Sequence, residues 1–207
     1  MTDLFLSAFV TLFVVIDPPG CAPIYAGLTT GATPSQSRGM AIRACAIAGV
    51  ILLFFALLGK GLLAALHVEL NSFRIAGGIM LFLIALEMVF EKRTQRREER
   101  IEKFRATPEV EDVSVFPMAI PMLAGPGSIA SIMMLISRAE GTSQTLVVLA
   151  ALAAVLMLSL AALLAAGPLM RLLGTQVEAV LTRLLGLLLA ALAAQYVVDG
   201  VKVVMGA

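Results

Sequence analysis

Long runs of apolar residues limit this chain to a small set of folds. About 20 consecutive apolar residues are needed to cross the roughly 30 Å of hydrocarbon in a bilayer, and the sequence contains several such runs. In the whole chain of 207 residues, 60% are hydrophobic, 14% are charged and the mean hydropathy is +0.99. Soluble domains are about 45–50% apolar and about 25% charged. The sequence therefore predicts an all-α integral membrane protein.

The runs are consistent with six membrane-spanning helices. The first run lacks the basic segment and cleavage site of a signal peptide, so we expect it to be retained. Cys21 and Cys45 lie in or next to apolar runs and are predicted to be packing residues, not a disulfide. The expected spans are 4–30, 34–66, 72–90, 113–136, 145–166 and 178–198, where the second begins with a capping box at Thr33 and Gln36.

A charged linker divides the chain into two halves. Residues 91–112 carry seven basic and seven acidic side chains. We predict a first three-helix repeat over 1–90, a cytoplasmic linker over 91–112 and a second three-helix repeat over 113–207.

Landmarks recur between the halves at a nearly constant offset. Pro19-Gly20 matches Pro126-Gly127 at an offset of 107 residues. The pairs at an offset of 109 residues are Glu69 with Glu178, Arg74 with Arg183, and Gly77 with Gly186. Because each half has an odd number of spans, the second must enter the membrane inverted, as in many secondary transporters.

The distribution of basic residues predicts the orientation. With both termini outside, the inner side holds eleven Lys and Arg residues and the outer side holds four. Because basic residues favour the cytoplasmic side, this orientation puts the linker in the cytoplasm.

Two short motifs interrupt the first and fourth predicted spans. IDPPG occupies residues 16–20 and AGPG occupies residues 124–127. Proline removes a backbone donor, and glycine tolerates conformations that end a helix. A break near the bilayer midplane survives only where protein or a water-filled cavity surrounds it. Matching breaks in two halves point to a transporter's substrate site.

Asp17 is the most informative single residue. It lies about 13 residues into the first apolar run, where a carboxylate should face a cavity or a cation. It either binds a substrate ammonium, Na⁺ or a proton, or it caps the helix that follows. Both interpretations remain open, and one carboxylate can serve both.

The helix ends at the breaks suit a zwitterion. Half-helices beginning near Gly20-Cys21-Ala22 and Gly127-Ser128-Ile129 would direct N–H groups at an anion. The preceding carbonyls and Asp17 would attract an ammonium. The alternative is that these prolines and glycines only kink two helices for packing. The candidate substrate-binding residues are Asp17, Pro18, Pro19, Gly20, Cys21, Pro23, Ala124, Gly125, Pro126, Gly127 and Ser128.

Symmetric charged residues begin the last helix of each half. Arg74 and Arg183 either extend to the interface as long cationic side chains or act as a gate or latch with Glu69 and Glu178. Elsewhere, Glu87 is expected at the membrane interface, Gln195 between helices, and Asp199 in solvent.

The sequence offers no motif for enzymatic chemistry. It has one histidine, no metal-ligand cluster, and in GPGS no Lys-Ser/Thr pair that would make a phosphate-binding loop. We therefore expect neither an enzyme nor a resident cofactor, and no nucleic-acid partner at a net charge of +1. A coupling H⁺ or Na⁺ and a homo-oligomer remain open.

Four stretches carry a family resemblance. VIDPPGCAPIY, FRIAGGIMLFLIALEM, FPMAIPMLAGPGSIA and RLLGLLLAALAAQYVVDG resemble the MarC-type inner-membrane proteins, which include SnatA-like small neutral amino acid transporters. The resemblance implies six spans and a substrate of the glycine or alanine type. It also implies a site lined by Asp17, Pro18, Gly20, Pro23, Gly125, Pro126, Gly127 and Ser128.

Three functions are compatible with these features. The leading prediction is a secondary transporter of small neutral amino acids that works by alternating access around the two breaks. The others are a transporter or channel for another small solute or ion, and a non-transporting membrane scaffold.

Overall fold

The computed structural model describes residues 1–90 and 112–205, with the side chains of 70, 168–179, 181 and 182 left out. The predicted linker, except Asp112, and the side chain of Glu178 lie outside the described residues. The helices are α1 (Thr2–Ile16), α2 (Pro18–Leu28), α3 (Pro34–Ala65), α4 (Leu70–Val89), α5 (Ser114–Leu123), α6 (Pro126–Arg138), α7 (Gly141–Leu164) and α8 (Ala166–Met205).

The described segments are helical and form an integral membrane bundle. Five are long and apolar enough to span a bilayer, with α1 and α2 together counted as one segment, Thr2–Leu28. The pair α5–α6 passes the same test as one segment bent by 52°, which gives up to six spans. The predicted all-α membrane class is confirmed. The count of six requires the bent pair to cross the membrane as one span.

Most helix boundaries follow the local sequence signals. At Thr33, the hydroxyl accepts from the Gln36 N–H and the Gln36 side chain accepts from the Thr33 N–H, so the predicted capping box begins α3. The last helix differs from the prediction, because α8 begins at Ala166 rather than near Glu178. Pro168 lies in the first turn of α8, where no intrahelical N–H bond is lost, so the helix can begin upstream of Glu178.

Helix contacts correspond between the two halves. The helix α1 packs on α7 as α5 packs on α3, and α2 packs on α7 and α8 as α6 packs on α3 and α4. Exchanging the two halves swaps α3 with α7 and α4 with α8, so the pairs α3–α7 and α4–α8 remain the same pairs. Three pairs depart from this pattern within the described chain: α1–α8, α6–α7 and α7–α8 are in contact, whereas their counterparts α5–α4, α2–α3 and α3–α4 scarcely touch.

The α4–α8 pair is the most extensive contact, and small residues bring its backbones close together. A Cβ on Gly78 would lie 2.9 Å from the Ala193 carbonyl oxygen, and one on Gly186 would lie 3.1 Å from the Ala85 carbonyl oxygen. At the other end of the pair, Gly200 faces Asn71. The two helices therefore run antiparallel, with glycine allowing the close approach that membrane helix pairs favour.

Candidate functional site

Asp17 forms the junction between α1 and α2. It is fully buried, with φ at 57° and ψ at 63°, a left-handed conformation that Asp tolerates better than most residues. Its Oδ1 accepts from the Gly20 N–H at 3.1 Å, and its carbonyl oxygen accepts from the Cys21 N–H at 3.0 Å. Asp17 therefore caps α2, as one of its two predicted roles requires.

The first turn of α2 has few donors to offer a ligand. Pro18 and Pro19 have no N–H, and the next two N–H groups are bonded to Asp17. The positive end of α2 is thus already matched by a carboxylate of its own chain. An anion would have to displace Asp17 in order to bind there.

The junction between α5 and α6 is built differently. In α5 the Met118 N–H bonds the Val113 carbonyl and the Ala124 N–H bonds the Ala119 carbonyl, so these bonds span five residues instead of four. Phe116 and Ile120 are extended because each precedes a proline, which disfavours the helical region. The helix α6 then begins at Pro126 with Gly125 at its N-cap and no side-chain cap.

Donors remain available at the start of α6. Pro126 has no N–H, and the Ile129 N–H bonds the Gly125 carbonyl at 3.0 Å. Within the described residues, no acceptor bonds the N–H groups of Gly127 and Ser128. The two N–H groups and the helix dipole make this end electropositive.

The two junctions meet inside the bundle. A Cβ placed on Gly127 would lie 3.3 Å from Val15 Cγ1 and 2.6 Å from Ile84 Cδ1. Val15 is two residues before Asp17, so the end of α1 touches the beginning of α6. Only glycine leaves this space open at position 127.

A cavity of about 160 Å³ lies at this meeting point. Its polar side chains are Glu87 of α4 and Ser128 of α6, and Glu87 is half-buried. Pro126 at its edge is exposed, whereas Gly127 and Ser128 are buried. The remaining lining residues are Val15, Ile84, Pro121, Met122 and Gly125. The cavity therefore places a carboxylate and an electropositive helix end within one small space.

The structure divides the predicted site residues into two groups. Gly125, Pro126, Gly127 and Ser128 line the cavity. The predicted residues that do not line it are Asp17, Pro18, Pro19, Gly20, Cys21, Pro23 and Ala124. Ser128 is the third residue of α6. Its side chain does not cap the helix and instead lines the cavity.

Glu87 was not predicted as a site residue. It was expected at the membrane interface because it lies near the end of its apolar run. The available signal was that Glu87 is the one carboxylate in the candidate span Asn71–Val89. Ionisable residues inside membrane spans usually mark functional positions.

Three of the four residues predicted to act as gates have described side chains, and these three occupy separate environments. Arg74 is half-buried and its Nη1 donates to Asn71 Oδ1 at 3.4 Å, while Nε has no partner among the described residues. Glu69 is exposed at the N-cap of α4 and makes no side-chain cap. Arg183 is exposed and lies well inside α8, not at its start.

A polar cluster closes the end of the bundle opposite Glu87. Arg138 Nη2 lies 2.7 Å from Asp199 Oδ2, and the Gln195 amide donates to Asp199 Oδ1 at 2.6 Å. The Arg138 guanidinium also lies 4.5 Å from the centre of the buried Tyr196 ring. Asp199, which was expected in solvent, is 33% exposed and also pairs α8 with the end of α6.

The part of the chain that the structure describes contains no group of three or more His, Cys, Asp or Glu side chains suited to a metal ion.

The chain is similar over nearly its whole length to proteins that are named as membrane proteins. A family model described as MarC family integral membrane protein matches residues 2–205. The UPF0056 membrane protein MJ1677 of Methanocaldococcus jannaschii is 34% identical over 96% of this chain and 96% of its own. The UPF0056 membrane protein YvbG of Bacillus subtilis is 31% identical over 98% and 96%, respectively. The UPF0056 inner membrane protein YhgN of Escherichia coli K12 is 32% identical over 97% of each chain. No solved structure matches the chain significantly. A family match over nearly every residue, with relatives at this identity, establishes that the chain belongs to the MarC family of integral membrane proteins.

Proposed function

We propose that this protein is a secondary transporter of small neutral amino acids of the glycine or alanine type. The observation that carries the proposal is the cavity between Glu87 and the start of α6. The substrate carboxylate would accept from the N–H groups of Gly127 and Ser128, and its ammonium would face the Glu87 carboxylate. A protein that moves an unmodified solute in this way needs no enzymatic chemistry and no cofactor.

The size of the cavity supports a small substrate. A cavity of about 150 Å³ holds benzene, a molecule of about six non-hydrogen atoms. Alanine has the same number of such atoms and glycine has one fewer. The cavity of about 160 Å³ beside Ile84, Val15 and Met122 therefore suits a solute of this size.

The matched helix contacts support two inverted repeats. An inversion of three spans makes equivalent helices antiparallel, and α4 and α8 run antiparallel. Exchanging the halves also relates α1–α7 to α5–α3 and α2–α8 to α6–α4. Two similar halves around one cavity are the architecture in which rocking of one half against the other gives alternating access.

The proposed setting is the inner membrane, with both termini outside and the charged linker in the cytoplasm. The Escherichia coli relative carries inner membrane in its name. The excess of basic residues on the linker side supports this orientation. A coupling H⁺ or Na⁺ would supply the driving force for transport against a gradient.

Uptake into proteoliposomes tests the proposal. Labelled glycine and alanine should accumulate with the unsubstituted protein, and uptake should fall at least about tenfold in Glu87→Gln, since a hydrogen bond to a charged group contributes about 1.5–3 kcal/mol. Glu69→Gln is the matched control because it removes the same charge from an exposed position. Uptake that is unchanged in Glu87→Gln would refute this site.

The shift in melting temperature that a solute causes identifies the bound solute independently of uptake. Glycine or alanine should raise the melting temperature of the unsubstituted protein with concentration, because a ligand that binds the native state stabilises it. The shift should be smaller in Glu87→Gln and unchanged in Glu69→Gln. A shift with another solute and none with these amino acids would favour the second predicted function.

A further inference from the structure

Two buried hydroxyl groups near the cavity have no hydrogen-bond partner. Thr11 Oγ1 and Ser131 Oγ are unpaired among the described residues, and the two side chains are 1% and 0% exposed. A buried polar group without a partner is destabilising by about 1–3 kcal/mol. Such groups are rare enough in native structures to require an explanation.

Both hydroxyls lie on the faces that meet at the cavity. Thr11 is four residues before Val15 on α1, and Ser131 is four residues after Gly127 on α6. Side chains four apart share one face of a helix, and Val15 faces Gly127. The Tyr196 hydroxyl approaches Thr11, although not in the geometry of a hydrogen bond.

Contacts along α4 show how far each of the two hydroxyls lies from the cavity. Gly127 faces Ile84 and Leu81, whereas Met134, farther along α6, faces Gly77. Ser131 is therefore displaced from the cavity towards the start of α4. Thr11 is displaced the same way, since Tyr196 lies beside Val197, which faces Gly78.

The polar cluster around Arg138 lies farther from the cavity than these two hydroxyls, near the start of α4. Arg74 is in electrostatic range of Arg138 and Asp199, so the cluster sits beside the first turn of α4. Glu87 lies 13 residues farther along α4, or roughly 20 Å at 1.5 Å per residue. Polar groups therefore continue from the cavity through Thr11 and Ser131 to the far end of the bundle.

We propose that Arg138, Asp199 and Tyr196 form a gate over this path, and that Thr11 and Ser131 line the path beneath the gate. The proposal rests on the transport function, because a gate implies a solute that passes. In the described structure the gate is closed: Tyr196 is 4% exposed and Arg138 covers its ring. When the gate opens, water or solute reaches Thr11 and Ser131 and satisfies the two hydroxyls.

The chemistry of the cluster suits an element that opens. The Arg138 and Asp199 side chains are 35% and 33% exposed, and partly exposed ion pairs contribute little net stability. The contact can therefore break and re-form without unfolding the bundle. The Arg138–Asp199 pair connects the end of α6 to α8, so opening breaks this contact and uncovers the Tyr196 ring.

Cysteine accessibility tests the gate without requiring a substrate. Thr11→Cys in a bilayer nanodisc should react slowly with a membrane-impermeant thiol reagent. Adding Arg138→Ala should raise the rate about three- to fivefold, the effect expected for a partly exposed ion pair. The native Cys21 and Cys45 are buried, so the unsubstituted protein gives the background.

The matched control is Ser159→Cys, a fully buried hydroxyl position on α7 that is bonded within its own helix. Its reaction rate should not change with Arg138→Ala. The double charge exchange Arg138→Asp with Asp199→Arg should restore slow labelling at Thr11→Cys.

Two results would overturn the gate. Either Arg138→Ala changes the rate at neither cysteine, or it raises both rates equally, which would mean that the ion pair only holds the bundle together. Labelling is measured in the absence of any amino acid. Failure of the gate is therefore distinguishable from failure of glycine and alanine uptake, which tests the proposed function.

Discussion

In the proposed inverted repeat, the α1–α8 contact and the α4–α5 contact are counterparts, yet they differ. On the α1–α8 side, Tyr196 is buried and Arg138 covers its ring. On the α4–α5 side, the described helices scarcely touch, and Glu87 lines a cavity between them. Glu87 and Tyr196 are 109 residues apart, the offset that also relates Arg74 to Arg183.

If the halves are the proposed repeats, this difference shows how two similar halves can form one asymmetric structure. An aromatic side chain at the equivalent position fills space and excludes water, whereas a carboxylate retains space and attracts a cation. Rocking-type alternating access requires such an asymmetry, because one side must be packed while the other is open. In the proposed transport cycle, the α1–α8 side would open as the α4–α5 side packs.

Filling the cavity on the α4–α5 side, here called the open side, should have the largest effect on solute uptake. Gly127→Leu places a side chain where even a Cβ lies 2.6 Å from Ile84 Cδ1, and the remainder would occupy the cavity. We expect solute uptake in proteoliposomes to fall to background. Gly61→Leu is the control, because a Cβ at exposed Gly61 meets nothing within 4 Å. Normal uptake in Gly127→Leu would show that the solute does not use this cavity.

The α4–α8 contact joins the two halves of the chain, so a substitution there should lower the stability of the whole bundle. In Gly78→Ala the new Cβ lies 2.8 Å from Val197 Cγ2 and 2.9 Å from a backbone oxygen that cannot easily move. We expect unfolding in mild detergent to become easier by about 1–3 kcal/mol.

Gly39→Ala is the matched control for that substitution, since its Cβ meets nothing within 4 Å. Higher helix propensity should leave this variant unchanged or stabilise it by up to about 1 kcal/mol. Equal stability of the two variants would mean that α4 and α8 separate readily.

Two substitutions at Asp17 distinguish a capping role of this residue from a ligand-binding role. Asp17→Asn keeps an acceptor for the Gly20 N–H and tolerates the left-handed backbone, so its melting temperature and uptake should stay close to those of the unsubstituted protein. Asp17→Ala removes the cap and should cost about 1 kcal/mol or more. Uptake lost in Asp17→Asn at unchanged melting temperature would instead assign the carboxylate to the substrate or coupling ion.

Local signals in the sequence predicted most helix ends. Thr33 and Gln36 begin α3 as expected because a capping box needs only neighbouring residues. The α1–α2 junction at Asp17 and the α5–α6 junction at Gly125 follow from proline and glycine for the same reason. The start of α8 was predicted too late, near Glu178 instead of Ala166, although Pro168 is tolerated there because it lies in the first turn of the helix.

The site depended on information that local signals lack. Both breaks were predicted to offer N–H groups, but at the first break Pro18 and Pro19 have none and Asp17 bonds the next two. Glu87 reaches the cavity because α4 packs on α6, a long-range contact that no single segment encodes. The Arg138–Asp199 pair likewise joins residues 61 positions apart.

Each side also carries an ion pair, and acid should affect the more exposed pair only slightly. Asp112 lies beside α5 on the open side, 3.1 Å from Arg43, and the two side chains are 48% and 58% exposed. A hydrogen bond from the Ser114 hydroxyl, followed by the Ser114 N–H and Arg43, holds the pKa of the Asp112 carboxyl below 3.8. The folded state therefore gains stability that is present above pH 3.8 and is lost as the pH falls through the lower folded value.

Because Asp112 is largely solvated, this contribution should be less than about 1 kcal/mol. Between pH 6 and pH 3, the melting temperature of the unsubstituted protein should fall slightly more than that of Asp112→Asn, which has no carboxyl to protonate at this position. A larger fall in Asp112→Asn would reverse the sign of the linkage. It would mean that the Asp112 carboxylate is held in a less favourable setting in the folded protein than in the unfolded chain, and that the start of α5 is not anchored by Arg43.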